Sequence, residues 1–191
     1  MQWRGALGLT LVAIVLAGCA TAQTSAGTAA LREGRPLEAA EHFKEALAGD
    51  PTRVDAKIGL GISRYRLAAY DEAIAALDDA VNRAPGHPDA RLYLALSHLR
   101  KREDAAAQEQ LTALGALPIE PRLVAQVEQT LTLLRAGSVT DPIRTYVAAS
   151  LDYGFAWSRE VAETRVALRN AQLAWDPFWS RPYVLVPCRR C

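Results

Sequence analysis

A period of 34 residues runs from Gly27 to beyond Pro85, and a repeat of that length restricts the fold more than any other feature. Pro51 and Pro85 are one period apart, as are Ala39 and Ala73, Ala46 and Ala80, and Gly27 and Gly61. Each copy keeps one order: a small residue, an apolar residue four on, a small residue three further, then proline. In one copy these are Ala39, Phe43, Ala46 and Pro51; in the next they are Ala73, Leu77, Ala80 and Pro85. Abundant alanine and leucine favour helix. Asp50-Pro51 and Ala84-Pro85 then read as helix stops, since proline cannot continue a helix.

The stretch Ala56 to Pro85 contains Leu60-Gly61 and Tyr70-Asp71-Glu72-Ala73-Ile74, and it resembles the tetratricopeptide repeat family. The resemblance implies an all-α fold, a right-handed α-solenoid in which helices A and B of each unit lie antiparallel. Gly61 and Ala73 then let two backbones approach, while Leu60, Ile74 and Leu77 fill the space between them. Gly34 suits the left-handed end of a helix A. Asp71-Glu72 set negative charge in the first turn of a helix B. A third, weaker unit begins at Pro88, with Leu94-Ala95 for Leu60-Gly61, Ala107 at the small position, and Leu111 and Leu114 on the apolar stripe. Its closing Pro118 comes one residue early. Pro121 opens a further helix with Leu123, Val127, Thr130, Leu131 and Leu134 on one face, the cap that a short solenoid needs. The expected organisation is repeat units over 28–120, a capping helix over 121–136, a C-terminal helix over 137–174, and an irregular tail over 175–191.

In this family helices A line a concave groove. By that likeness the partner-binding residues are Ile58, Ile62, Tyr65, Leu92, Leu96 and Leu99, with Arg66 at the rim. Some members grip a terminal carboxylate with Asn and Lys; Ile62 and Leu96 fall where the asparagines would be, which disfavours that mode here. The groove reads as apolar and suits an amphipathic helix or apolar segment of an envelope protein. On this view Ile62→Glu or Leu96→Glu removes partner capture and leaves the solenoid folded. A rival occupant lies in the same chain. Asp141-Pro142 is a helix start, and Ile143, Val147, Leu151, Gly154, Trp157, Val161 and Leu168 recur at mostly helical spacing. After Leu173, prolines 177, 182 and 187 argue against helix.

Ahead of the repeats, Leu16-Ala17-Gly18-Cys19 follows Arg4 and an apolar run, Leu7 to Val15, too short to span a bilayer. This resembles the lipobox of bacterial lipoproteins. The resemblance implies a signal peptide over 1–18, cleavage before Cys19, and acyl chains, palmitate among them, on Cys19. Ala20 follows where an inner-membrane lipoprotein often carries Asp, so the family analogy points to the outer membrane, facing the periplasm. Residues 19–27 are expected to be a lipidated tether, with helix from about Thr28, because the run Ala20 to Thr28 is poor helix material. Cys188 and Cys191 remain as an even pair in an oxidising compartment, a disulfide candidate. No helix follows them to lower a thiol pKa, and two thiolates do not complete a zinc site.

Charges nearly balance, 22 Lys and Arg against 21 Asp and Glu, which argues against a nucleic-acid partner. There is no nucleophile elbow, phosphate loop or HExxH, and His42, His87 and His98 share no ligand spacing. The chain is therefore expected to be no enzyme, with no metal and no cofactor beyond covalent lipid. The leading expectation is a protein–protein interaction scaffold: an outer-membrane lipoprotein with tetratricopeptide repeats that assists assembly of a pilus, secretion or outer-membrane complex. The alternative is a thiol-active envelope protein using Cys188 and Cys191, its repeats selecting clients. Homo-oligomerisation is left open.

Overall fold

The computed structural model describes residues 21–179 except 138, and these form eight helices: α1 (residues 21–32), α2 (Pro36–Gly49), α3 (Val54–Arg66), α4 (Tyr70–Arg83), α5 (Pro88–Arg100), α6 (Asp104–Gly115), α7 (Pro121–Arg135) and α8 (Asp141–Trp179). No strand occurs among the described residues. The segment with Cys19 and the tail with Cys188 and Cys191 lie outside them. Pairs α1–α2, α3–α4 and α5–α6 are the three repeat units; α7 packs on α6 as the cap, and α8 packs on α5 and α7. The architecture is an all-α solenoid.

The 34-residue period is visible in the backbone as well as in the side chains. Each helix A ends on a left-handed residue: Gly34 (φ 73°), Ala68 (φ 59°) and Arg102 (φ 65°). In each case the following N–H donates to the carbonyl five residues back, Arg35 to Ala30, Ala69 to Arg64 and Glu103 to His98. The left-handed residue itself donates three back, which completes a Schellman end. Only the first copy uses glycine, which adopts this geometry without strain. Ala68→Gly is therefore expected to stabilise the fold by about 0.5–1 kcal/mol, since it relieves a left-handed alanine at a small cost in unfolded-chain entropy. Urea denaturation checks this; a lower midpoint for the variant would contradict the assigned turn.

Two clusters make the core. Phe43, 1% exposed, fills the first unit against Ala30, Ala39, Ala46 and Ala56. A larger cluster runs through units two and three into α7 and α8. At Gly61 a β-carbon would stand 2.4 Å from Leu77, so this close crossing of α3 and α4 requires glycine. Helix α5 is nearly enclosed: Leu92, Leu94, Ala95, Leu96, Ser97 and Leu99 are all 0–1% exposed.

Two boundaries differ from the sequence reading. The expected tether over 19–27 is helical from residue 21. Weak intrinsic propensity is overridden by packing: Gly27 lies against the Phe43 ring, Thr28 Oγ1 donates to the Thr24 carbonyl, and Gln23 Oε1 is 2.8 Å from His42 Nδ1. At the other end, helix was expected to stop by 174, and α8 continues to Trp179 through Pro177. A proline removes a single N–H and need not end a helix near its last described turn.

Candidate functional site

Helix α8 runs antiparallel to α5 across the concave side of unit three, and its own sequence fastens it there. Arg100 of α5 donates to Thr145 Oγ1 (2.8 Å), Tyr93 Oη donates to Asp152 Oδ1 (2.6 Å), and Arg159 pairs with Asp89 (2.9 Å). Arg144, with a side chain only 12% exposed, forks onto both oxygens of Asp104, one contact at 2.7 Å. Between these polar ties Val147, Ala148, Leu151 and Phe155 are 1–8% exposed. Burying a Val, Leu or Phe contributes about 1.5–3 kcal/mol each, whereas exposed ion pairs contribute about 0–1 kcal/mol. The apolar face therefore supplies the adhesion, and the polar ties set the register.

Beyond Arg159 the helix leaves α5, and Glu163 reaches Arg32 of α1. A cavity of about 580 Å³ opens there between α1, α3 and α8. Leu31, Ile62, Tyr93 and Phe155 give it an apolar lining. Arg32, Arg66, Arg159, Glu160 and Glu163 contribute charge of both signs. Arg32 reaches Glu163 at 3.4 Å, with both side chains 65% exposed, and Arg66 donates to the Leu31 carbonyl at 2.7 Å. Among the described residues no cluster of His, Cys, Asp and Glu is arranged to hold a metal.

Next to the cavity three tyrosines meet. The Tyr65 ring lies 5.5 Å from Tyr93 and 5.9 Å from Tyr70, and Arg100 stands 5.6 Å from the centre of the Tyr70 ring. Burial, and then the nearby Asp152 carboxylate, pushes the Tyr65 hydroxyl from 10.0 up to about 12. The same two causes, in the same order, raise Tyr93. Between pH 10 and 12 the unfolded chain has released protons that the folded chain keeps, so stability falls as pH rises through that window. The contribution is fully present below pH 10. Alkaline titration with hydrogen exchange is expected to show α8 loosening above pH 10, and Tyr93→Phe is expected to blunt the effect.

The structure sorts the residues expected in the groove. Ile62 and Arg66 line the cavity. Ile58 is 6% exposed, and Leu92, Leu96 and Leu99 are fully buried in the core, none of them at the cavity. Tyr65 is half-buried in the tyrosine cluster. The expectation that Leu96→Glu spares the fold is corrected by this burial, because a carboxylate there has neither water nor a partner. The sequence reading passed over Tyr93 and Phe155. Tyr93 had a signal: it lies seven residues before Arg100, on the same side of α5 two turns apart. Phe155 had another, since Val147, Leu151 and Phe155 step by four. Asp104, in the first turn of α6, is the partner that holds Arg144.

Solved structures with this arrangement share its fold. The type III secretion translocator chaperone SycD of Yersinia enterocolitica, in an alternative dimer, aligns with a TM-score of 0.58 at 20% identity, over 64% of this chain and 96% of SycD. SycD in complex with a peptide of the translocator YopD gives 0.57 at 20% identity, over 62% and 94%. The first TPR domain of the human RPAP3 protein gives 0.54 at 15% identity, over 63% and 98%. No curated protein matches the chain by sequence. The sequence pattern of the tetratricopeptide repeat, however, matches residues 11–54, 24–88 and 58–119, together more than half of the chain. With three helical hairpins, their common period and this match, the chain belongs to the tetratricopeptide repeat family.

Proposed function

We propose that this chain is a non-catalytic protein-interaction scaffold whose ligand is a short extended segment of a partner protein, anchored by an apolar side chain. The cavity between α1, α3 and α8 carries the reading: about 580 Å³, apolar inside, with charge of both signs around it. That volume is typical of a ligand site. A whole helix is about 10–12 Å across with its side chains, so α8 already takes the place a helical ligand would need. The ligand class thus narrows from the amphipathic helix to an extended segment, and the peptide bound by SycD is a precedent for peptide recognition on this fold.

We further propose that acyl chains on Cys19 hold the scaffold at the outer membrane, facing the periplasm, where it assists assembly of an envelope complex. The Leu16–Cys19 motif supports this reading. With helix from residue 21, such an anchor would hold the solenoid close to the bilayer. The test is a photo-crosslinking residue at Ala156, an exposed position lining the cavity, in the full-length protein in cells. Adducts with one other envelope protein are expected. Adducts confined to α1 and α3 of the same chain would sink the receptor reading. A mature chain whose intact mass lacks acyl groups would sink the anchor alone.

A further inference from the structure

Helix α8 projects past the solenoid with an apolar side uncovered. From 162 to 173 every residue is exposed, Val166 and Leu173 by 55% and 62%. Ala162, Glu163, Val166, Ala167 and Asn170 line a shallow, mostly apolar trough along one side of this stretch. Glu163 also lines the cavity, so the trough leads from the cavity mouth along α8. A helix in a protein draws most of its stability from a packed face, and this stretch buries none of its residues. Glu160 stands where trough and cavity meet, and its carboxylate holds no cation among the described residues. Glu163 holds Arg32 only at 3.4 Å, and Arg159 is engaged by Asp89.

We propose that residues 182–190 of the same chain lie in this trough, antiparallel to α8, with Arg189 and Arg190 on Glu160 and Glu163. Tethering selects this occupant first. Because α8 ends at Trp179, the segment is held near the trough at an effective concentration in roughly the millimolar range, which a second copy does not reach in dilute solution. Its chemistry fits as well. Tyr183-Val184-Leu185-Val186 is apolar, and Pro182 and Pro187 press the residue before each toward extended backbone, so little chain entropy opposes docking. Length and charge then agree. An extended residue covers about 3.3 Å and a helical residue about 1.5 Å. After a reversal of about two residues at Ser180-Arg181, Leu185 comes level with Asn170 and Pro187 with Val166. Arg189 and Arg190 then fall within a turn of Glu160 and Glu163. Docked in this way the tail crosses the cavity mouth and competes with a partner segment. The competition, unlike the docking, rests on the proposed function.

Photo-crosslinking residues placed singly at 166, 170 and 168 of the full chain provide the test, in an equimolar mixture of ordinary and isotope-labelled protein. All three positions are exposed; 166 and 170 are in the trough, and 168 is on the opposite side of the helix. Adducts to residues 182–190 of the same chain are expected at 166 and 170, at least about fivefold above those at 168. Those from 170 are expected nearer Leu185 and those from 166 nearer Pro187. Arg189→Glu combined with Arg190→Glu is expected to lower the yield at 166 at least about threefold. Equal yields at all three positions, adducts joining labelled to unlabelled chains, or a yield indifferent to the charge reversal would each overturn the proposal. In cells the same double variant is expected to raise partner adducts at Ala156 at least about threefold; unchanged partner adducts would overturn the competition. No partner adducts at Ala156 in either form, with tail adducts retained at 166, would count against the receptor reading and leave the docking standing.

Discussion

Leu96→Glu is expected to leave no cooperatively folded domain at 25 °C. Leu96 is 0% exposed in the middle of α5, and α5 packs against α3, α4, α6 and α8. A glutamate there must stay charged without solvent or be protonated without a hydrogen-bond partner, and either state costs several kcal/mol. Overpacking and loss of the leucine add to this. Because domains of this size are stable by about 5–15 kcal/mol, the sum is comparable with everything available. Leu133→Glu on α7 is the matched control: Leu133 is 46% exposed, and its change is expected to stay within about 0.5 kcal/mol. Thermal melts of the two variants decide the matter. A sharp transition for Leu96→Glu near that of the parent would mean that α5 is not the centre of the core.

Leu151→Asp is expected to have the next largest effect, and a local one. Leu151 is 1% exposed at the middle of the α8 contact, one residue from the Asp152 that accepts from Tyr93. An aspartate there would be buried in an apolar contact, so α8 is expected to lose about 3–5 kcal/mol of docking or more. Helices α1–α7 hold three units and their cap without it. Hydrogen exchange is expected to show residues 141–160 exchanging freely while α3–α6 stay protected. Undocking uncovers Tyr93 and Arg100, so it also widens the groove and should let a longer partner segment bind. Melting of the whole domain in one step with α8 would show that the helix belongs to the same cooperative unit and is no separable cover.

Much of the architecture is written locally. The 34-residue period, the prolines at 51 and 85 and the small–apolar–small order place α2 to α6, because capping, helix breaking and face periodicity depend on neighbours within a turn or two. Pro121 and the apolar face from Leu123 to Leu134 place the cap for the same reason. Where local signals were weak, they misled. Residues 21–27 have poor helix propensity, and tertiary contacts such as those with Phe43, His42 and Arg53 make them a helix.

The sequence by itself determined the repeat, its helical hairpins, the cap and the existence of a long final helix. Only the tertiary structure decided what that helix does. Its residues were legible as one broad apolar pattern, and packing split them into a buried line on α5 and α7 and an exposed line facing outward. The cavity arises in the same way, from Leu31, Ile62, Tyr93 and Phe155 on four helices. A period states which residues share a face of one helix; which face meets which partner depends on how several helices cross, and no single segment encodes that.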